Sequence, residues 1–372
     1  MRLDRRGFLA ASAAAGVGFA ATRYGIGQTA DAQLPRLKDV ARAAGLMYGS
    51  DSDSTIVEQP TEYQALFAAQ CALYAANFDW SRSNPKSQDV HVWEDPNIGF
   101  ARAHGMKLTG GHLVWHTTTP AWLNDMPAKT AEAAIVKHVA DLGARYGDIL
   151  YSWNVANETI APEDKRLDGY RKTIYLEKFG LDYFDFTAHA AQEAAPGALR
   201  VYNDYGFAMG TWGDTWRRVT LLRLLDAFKK RGTPIQAVGL QSHLRLDGSK
   251  FDANAYREFL REISDRGFLI LITELDVFDV KTPAAVAVRD QMVADLYSQL
   301  LNTALENKAV KAVVTWGLSD RYSWLNSPYF PQFARSDGLP RRPLPFDRDF
   351  HAKPAFTALL KALQNAPYRV PA

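Results

Sequence analysis

Short apolar runs separated by amphipathic segments recur along almost the whole chain, and this alternation constrains the fold more than any other feature. The runs are continuous, not alternating, as in strands of a parallel sheet that is buried on both faces. Eight such runs occur, at residues 46–49, 73–78, 108–115, 150–155, 199–202, 237–240, 269–272 and 310–316. They predict eight buried parallel strands.

The segments between the runs show helical periodicity. In residues 131–146, Ile135, Val139 and Leu142 fall on one face, and a Gly and an Asp follow as a stop signal. Similar patterns cover residues 221–231, 256–266, 284–305 and 352–364. Eight strand–helix alternations predict an α/β fold, a single closed (β/α)8 barrel of the TIM type. An open doubly wound sheet fits the alternation too, but no glycine-rich phosphate loop follows the first run, which disfavours a nucleotide-binding version.

The N-terminal segment differs from the rest of the chain. Arg5-Arg6-x-Phe8-Leu9 and the alanine-rich stretch after it resemble a twin-arginine export signal, although Asp4 stands where that motif prefers Ser or Thr. Ala30-Asp31-Ala32 is a predicted cleavage site. We therefore expect residues 1–32 to be a signal peptide and residues 33–372 to be one catalytic domain. The apolar run is too short to predict a membrane span, so an exported, periplasmic or secreted protein free of the membrane is expected.

Composition narrows the range of partners. The formal net charge of +2 gives no reason to expect nucleic acid. Cys71 is the only cysteine, which excludes an intrachain disulfide and a cysteine-only zinc site. The histidines show no metal-ligand spacing, so we expect neither a metal nor another cofactor. We expect a monomer. The 12% aromatic content is compatible with sugar binding.

Two glutamates follow the ends of predicted strands. Glu158 comes after the fourth run and Glu274 after the seventh. Active sites of such barrels lie at the C-terminal ends of the strands, and strands four and seven lie roughly across the barrel mouth. The two carboxyl groups can therefore face each other over a bound sugar, as glycoside hydrolysis requires. A single glutamate at a strand end is more often part of a structural salt bridge, but the pair with its flanking motifs favours catalysis.

The flanking motifs make the resemblance specific. Trp153-x-Val155-x-Asn157-Glu158 and Ile272-Thr273-Glu274-Leu275-Asp276 resemble the two signature segments of glycoside hydrolase family 10, which consists chiefly of retaining endo-β-1,4-xylanases on a (β/α)8 barrel. Four further segments resemble the strand ends of that family: His112-Leu113-Val114-Trp115-His116, Tyr202-Asn203-Asp204-Tyr205, Gly239-Leu240-Gln241-Ser242-His243, and Thr315-Trp316-Gly317 with Ser323-Trp324. The resemblance therefore extends over most of the chain after the signal.

The resemblance implies a role for each catalytic residue. Glu158 is implied to be the general acid/base, which needs a raised pKa, and Gln241 to contact it and tune its protonation. Glu274 is implied to be the nucleophile. His243 is implied to hydrogen-bond Glu274 while being held by Asp276, which keeps the nucleophile oriented and charged.

Further residues are implied to contact the sugar. Asn157 is implied to bind the 2-hydroxyl of the sugar that is cleaved, and Tyr205 to form an aromatic floor on the leaving-group side. The remaining implied substrate contacts are His112, Trp115, Asn203, Trp316, Trp324 and Trp80. Any one tryptophan at a strand end is more often part of the core; the surrounding motifs favour sugar binding here.

The second strand departs from the family. The family typically has Glu-Asn-x-Met-Lys-Trp there, whereas this chain has Ala75-Ala76-Asn77-Phe78-Asp79-Trp80. Thr118 likewise stands where the family has Gln. These differences remove polar side chains that bind the sugars on the non-reducing, glycone side; Asn77 could replace part of the lost contact. Arg82 and Lys86, in residues 81–87, either supply replacement contacts or belong to an exposed polar loop.

Three functions remain compatible with the sequence. The first is an endo-1,4-β-xylanase that hydrolyses xylan by double displacement. The second is a β-glycosidase of the same family for decorated xylan fragments, short oligosaccharides or aryl glycosides. The third is a non-catalytic carbohydrate-binding protein, which the presence of both glutamates with His243 and Asn157 disfavours.

Overall fold

The continuous apolar runs form parallel strands, as predicted. In this computed structural model the described residues are 34–52, 55–83 and 94–372, so the predicted signal peptide at residues 1–32 lies outside them. The strands are β1 (Met47–Ser50), β2 (Leu73–Ala76), β3 (Lys107–Gly110), β4 (Val114–Trp115), β5 (Ser152–Asn157), β6 (Leu199–Asp204), β7 (Ala237–Leu240), β8 (His243–Arg245), β9 (Leu269–Phe278) and β10 (Val310–Thr315).

The sheet closes on itself. Its strand order is β3-β2-β1-β10-β9-β7-β6-β5-β4, and every pairing between these strands is parallel. β3 and β4 both come from the third predicted run, and a parallel bridge from Leu108 to Leu150 places β3 beside the chain that enters β5. This run therefore pairs with β2 on one side and with β5 on the other, which completes the predicted (β/α)8 barrel.

Several strand bounds differ from the prediction, most clearly in the third and seventh runs, and β8 is an additional short strand. The third run is interrupted because Gly110 and Gly111 both have positive φ angles, of 87° and 62°, and a Cβ on Gly111 would lie 2.5 Å from the Phe78 ring. The seventh strand, β9, continues beyond its predicted end at residue 272. It does so because β8 pairs with its last residues, with His243 opposite Asp276.

Ten helices pack outside the barrel in the described ranges. They are α1 (Leu37–Ala43), α2 (Thr61–Gln70), α3 (Asp95–Ala103), α4 (Ala128–Tyr146), α5 (Ile174–Phe179), α6 (Asp182–Ala194), α7 (Trp212–Arg231), α8 (Ala253–Asp265), α9 (Val286–Leu305) and α10 (Pro354–Asn365). The predicted helices are present, and α7 begins earlier than predicted because the Thr211 hydroxyl caps it by accepting from the Asp214 amide at 3.1 Å. None of the described helices is both long and apolar enough to cross a bilayer.

Both faces of the strands are buried. Alternate strand residues fill the barrel interior, among them Leu73, Ala75, Val201, Ala237, Leu271, Ala312 and Val314. Their neighbours, such as Ala76 and Tyr202, pack outward against the helices. This double burial explains why the runs are continuously apolar.

A buried ion cluster anchors the chain that follows β10. Asp279, immediately after β9, is fully buried and accepts hydrogen bonds from Arg289 Nε at 3.0 Å and Arg341 Nη1 at 3.3 Å. Arg335 lies 3.4 Å from the same carboxylate. The cluster ties α9 to the loop that carries Trp324 towards the barrel mouth.

Removing the Asp279 carboxylate is expected to destabilise the fold strongly. Asp279→Ala leaves three buried guanidinium groups without their shared anion, so we expect the free energy of unfolding to fall by about 3–5 kcal/mol. Asp226→Ala is the matched control because Asp226 pairs with Arg266 at the surface, and about 1 kcal/mol or less is expected there. Urea unfolding followed by circular dichroism measures both values, and equal losses would contradict the anchoring role.

Candidate active site

Irregular backbone aims both glutamates into the barrel mouth. Glu158 directly follows β5 and has a φ of 56°, in the left-handed region. Glu274 lies within β9 next to a register shift, where Ile272 pairs with Val313 but Leu275 pairs with Thr315. Such bulges bend a strand and re-aim its side chains. Closure of the barrel then brings the two carboxyl groups to the same end of the sheet.

The Glu158 carboxyl group is held by two neutral donors. Gln241 Nε2 donates to Oε1 at 3.1 Å, and Trp115 Nε1 donates to Oε2 at 2.9 Å. Burial raises the pKa of Glu158 above its ordinary value; the two hydrogen bonds oppose this shift and the negative charge of Glu274 adds to it. A carboxyl group with a raised pKa is suited to donate a proton near neutral pH.

The Glu274 carboxylate has hydrogen-bond partners on two other strands, β6 and β8. Asn203 Nδ2 donates to Oε1 at 2.7 Å, and His243 Nε2 lies 3.2 Å from Oε2. His243 Nδ1 in turn lies 2.8 Å from Asp276 Oδ1, while Trp324 Nε1 donates to Asp276 Oδ2 at 2.8 Å. The structure therefore brings Glu274, His243 and Asp276 together in the order that the resemblance implies.

The charge state of His243 follows from its two partners. Burial alone would lower the pKa of His243, but attraction to Asp276 and the hydrogen bonds to Asp276 and Glu274 outweigh it and raise the pKa to about 10. An imidazolium donates from both nitrogens, one to each carboxylate. Its positive charge stabilises negative charge on the nucleophile.

Asn203 joins the two halves of the site. Its Nδ2 donates to Asn157 Oδ1 at 2.8 Å as well as to Glu274, and its Oδ1 accepts from the Thr273 hydroxyl at 2.7 Å. Asn203 is fully buried, with 0% exposure, so the structure places it beneath the carboxylate as a bridge between protein groups and not as the predicted sugar contact. Hydrogen bonds thus run from Glu158 through Gln241, Asn157 and Asn203 to Glu274.

Asn157 retains one free donor. Its Oδ1 accepts from Asn203 and Gln241, whereas its buried Nδ2 has no hydrogen-bond partner among the described residues. Buried polar atoms are nearly always paired, and this one lies between the two glutamates, where a ligand acceptor would complete it. The predicted contact to the 2-hydroxyl of a sugar supplies such an acceptor.

The other predicted sugar contacts surround the two carboxyl groups. His112 and Trp316 line a small cavity together with Glu274, and Tyr205 and Trp324 line the main cleft, of about 730 Å³, together with Glu158. Burial lowers the pKa of His112 to about 4, so this ring is neutral where His243 is charged. These aromatic rings are placed to border a bound sugar.

Trp80 differs from its predicted role. It is only 1% exposed, and its ring stacks on His138 at 4.3 Å and meets Trp122 edge-on at 5.6 Å. The structure therefore places Trp80 in the core between the end of β2 and α4, because burial of the large indole outweighs exposure in the cleft.

The second strand lacks the polar side chains of the family pattern. Ala75 and Ala76 line the small cavity beside Glu274, and Asp79 caps the short helix Trp80–Arg82 by accepting from the Ser81 amide at 3.0 Å. Asn77 is exposed at the end of the strand. Residues 84–93, which include Lys86, and the side chain of Arg82 lie outside the described residues.

Two arginines near the acid/base were missed by the sequence analysis. Arg171 donates to the backbone carbonyl of Glu158 at 2.7 Å, and the Arg217 guanidinium lies 4.3 Å from the centre of the Tyr205 ring. Both residues lie outside the strand ends, in a loop and in α7, so no strand-end motif could identify them. In the part of the chain that the structure describes, no group of three or more His, Cys, Asp or Glu residues could hold a metal ion.

The protonation states of the two histidines can be measured at one pH. At pH 7 we expect His243 to be an imidazolium and His112 to be neutral, and in Asp276→Asn the loss of the main attractive charge should lower the pKa of His243. Because its folded-state pKa lies above the ordinary 6.5, the charge stabilises the fold fully below about pH 6.5 and this stabilisation is lost as the pH rises towards 10. Nitrogen-15 NMR of the imidazoles measures both states; a neutral His243 at pH 7 would contradict the assignment.

Comparison with known proteins finds xylanases that are similar in sequence and in fold. A xylanase 10B of Thermotoga maritima has the same fold, with a TM-score of 0.77 at 22% identity over 89% of this chain and 98% of that chain. Endo-1,4-beta-xylanase B of Paenibacillus barcinonensis is 30% identical over 74% of this chain and 85% of its own length. Endo-1,4-beta-xylanase C of the same organism is 27% identical over 90% of this chain, which spans only 32% of that longer protein.

The family assignment rests on the extent of the match. Residues 36–362, nearly the whole barrel, match the family described as glycosyl hydrolase family 10. The resemblance inferred from the strand-end motifs is confirmed. The chain belongs to glycosyl hydrolase family 10.

Proposed function

We propose that the protein is a retaining endo-1,4-β-xylanase with Glu158 as acid/base and Glu274 as nucleophile. The observation that carries this proposal is the hydrogen-bonded chain that joins the two carboxyl groups at the C-terminal end of a family 10 barrel. Relatives named as endo-1,4-beta-xylanases support the substrate class.

In the first step Glu158 donates its proton to the glycosidic oxygen while Glu274 attacks the anomeric carbon. The bond to the leaving sugar breaks, and a covalent glycosyl–enzyme forms on Glu274. The raised pKa of Glu158 keeps its proton available, and the imidazolium of His243 stabilises the carboxylate that attacks.

In the second step the same residues act in reverse. Glu158, now ionised, takes a proton from water, and the resulting hydroxide equivalent attacks the anomeric carbon and releases Glu274. Two displacements at one carbon retain its configuration. The free Nδ2 of Asn157 is the donor that binds the 2-hydroxyl as positive charge develops on the sugar ring.

The cleft beside Glu158 is large enough to receive a bound sugar. The main cleft extends from Glu158 past Tyr205 to Phe333 and Ser249, with a volume of about 730 Å³. This volume lies within the usual range of ligand-binding pockets. The part of the cleft lined by Glu158 and Tyr205 is the proposed leaving-group side.

The glycone side favours a second candidate within the same family. Ala75 and Ala76 leave a cavity beside Glu274, and Asp79 is engaged in a helix cap. A β-glycosidase that acts on decorated xylan fragments, short oligosaccharides or aryl glycosides would use the same carboxyl pair with weaker glycone binding. Loss of several hydrogen bonds, each worth about 0.5–1.5 kcal/mol, would weaken binding of plain xylan there.

We propose export through a twin-arginine signal at residues 1–32 and a monomeric mature enzyme. The support is the Arg5-Arg6-x-Phe8-Leu9 pattern with the alanine-rich stretch that follows it. Cell fractionation of the native chain beside an Arg5→Lys, Arg6→Lys variant tests the route, since the variant should stay inside the cell. Light scattering tests the oligomeric state.

The product profile tests the principal proposal. The protein is expected to release a mixture of xylo-oligosaccharides from xylan, and Glu274→Ala should release none because the covalent step lacks its nucleophile. Asp226→Ala, which changes a surface carboxylate away from the cleft, should match the unaltered protein. Chromatography of the products over time distinguishes internal from terminal cleavage. Release of nothing from any xylan substrate would favour the second candidate.

Restoring the family's second-strand side chains should strengthen glycone binding. The combined variant Ala75→Glu, Ala76→Asn, Asp79→Lys is expected to raise kcat/KM on xylotriose by roughly tenfold, as two or three new hydrogen bonds would. Asp79→Lys alone serves as the control, since it removes the helix cap without filling the cavity. An unchanged kcat/KM in the combined variant would contradict the proposed register of this strand.

A further inference from the structure

The acid/base residue occupies an unusual backbone conformation. Glu158 has a φ of 56°, in a region that non-glycine residues enter only when surrounding contacts hold them there. Its amide donates to the Asn203 carbonyl at 2.9 Å. Its own carbonyl group needs a separate partner, because Glu158 lies beyond the last pairing of β5 with β6, at Asn157.

Arg171 is that partner. Its Nε donates to the Glu158 carbonyl at 2.7 Å, and its backbone amide donates to the Thr159 carbonyl at 2.6 Å. The side chain and the backbone amide of Arg171 thus bind the carbonyl groups of two successive residues, Glu158 and Thr159. The Arg171 side chain is only 13% exposed, so it is not a freely moving surface cation.

The same guanidinium reaches the leaving-group side of the cleft. Arg171 Nη2 donates to the Tyr205 hydroxyl at 2.9 Å. Arg217 covers one face of the Tyr205 ring, so only the opposite face can meet a sugar. Arg171 therefore contacts both the peptide that carries the proton donor and the ring that borders the departing sugar.

We propose that Arg171 is a positioning residue that aligns the Glu158 carboxyl group with the glycosidic oxygen of a leaving sugar seated against Tyr205. This inference rests on the proposed function of Glu158 as the acid. In the contacts described above Arg171 touches neither Glu274 nor the partners of Glu274. It acts on Glu158 through the backbone and as a nearby positive charge that lowers the pKa of Glu158 against the larger raising effect of burial, so we expect its main effect on proton transfer. Small displacements of a proton donor lower its efficiency steeply, because transfer needs hydrogen-bond geometry.

If Arg171 acts on proton transfer, the loss of kcat/KM in an Arg171 variant should depend on how much the leaving group needs a proton. An aryl glycoside with a good leaving group, such as 2,4-dinitrophenol, departs without protonation, whereas phenol needs the acid. In Arg171→Met, kcat/KM on phenyl β-xylobioside should fall by about 10- to 100-fold, and kcat/KM on the 2,4-dinitrophenyl substrate should change no more than a few-fold. The full chain is assayed, and kcat/KM is compared because it reports the first chemical step.

Arg166→Met is the matched control. Arg166 lies in the same loop, but among the described residues its side chain pairs with Asp168 at the surface, from Nε at 3.0 Å and from Nη2 at 2.5 Å. It should alter neither substrate. Arg171→Lys keeps the positive charge, but one ammonium group cannot reach both the Glu158 carbonyl and the Tyr205 hydroxyl, so it should show the same selective loss.

The possible results distinguish the positioning role of Arg171 from the proposed glycosidase function on which that role rests. A selective loss on the phenyl substrate in Arg171→Met, or in Arg171→Lys if the Met variant does not fold by circular dichroism, supports the positioning role. Equal losses on both substrates indicate a general structural role and overturn it. An unaltered enzyme that cleaves neither aryl substrate nor xylan overturns the proposed function, and the inference with it.

Discussion

The hydrogen bond from Asn203 to Glu274 holds together elements that are far apart in sequence. One buried amide nitrogen serves Glu274 on β9 and Asn157 on β5, while the oxygen of the same side chain accepts from Thr273. This contact depends on Gly239 of β7, since a Cβ there would lie 2.2 Å from the Asn203 oxygen. Barrel closure brings these strands together. Because Gly239 has no side chain, Asn203 has room to donate its hydrogen bond to Glu274.

The groups around the Asn203 bridge give Glu158 and Glu274 different charge environments. Glu158 receives only neutral donors on its carboxyl group, from Trp115 and Gln241, and burial raises its pKa. Glu274 faces a histidine that Asp276 keeps protonated. Two residues of one type therefore lie in different electrostatic surroundings, which suits the proposed roles of Glu158 as proton donor and Glu274 as nucleophile.

The barrel and the positions of the two glutamates could be predicted from the sequence, because both depend on where the strands begin and end. Parallel strands buried on both faces produce continuous apolar runs, and polar residues directly after them, such as Glu158, must lie at the barrel mouth. The interruption at Gly110 and the bulge beside Glu274 could not be predicted, since both depend on how neighbouring strands pair. The burial of Trp80 depends on α4, which is distant in sequence.

The hydrogen-bonded chain between the glutamates runs through β5, β6, β7 and β9 and leaves out β2. Ala75, Ala76 and Asp79 take part in none of these side-chain hydrogen bonds, although Ala75 and Ala76 line the cavity next to Glu274. The hydrogen bonds that hold the two glutamates and the positions proposed to set sugar preference therefore lie on different strands of one barrel. Such a layout permits the sugar-binding surface near β2 to change while the partners of the two glutamates stay intact, and this chain combines the full set of these partners with a second strand that departs from the family pattern.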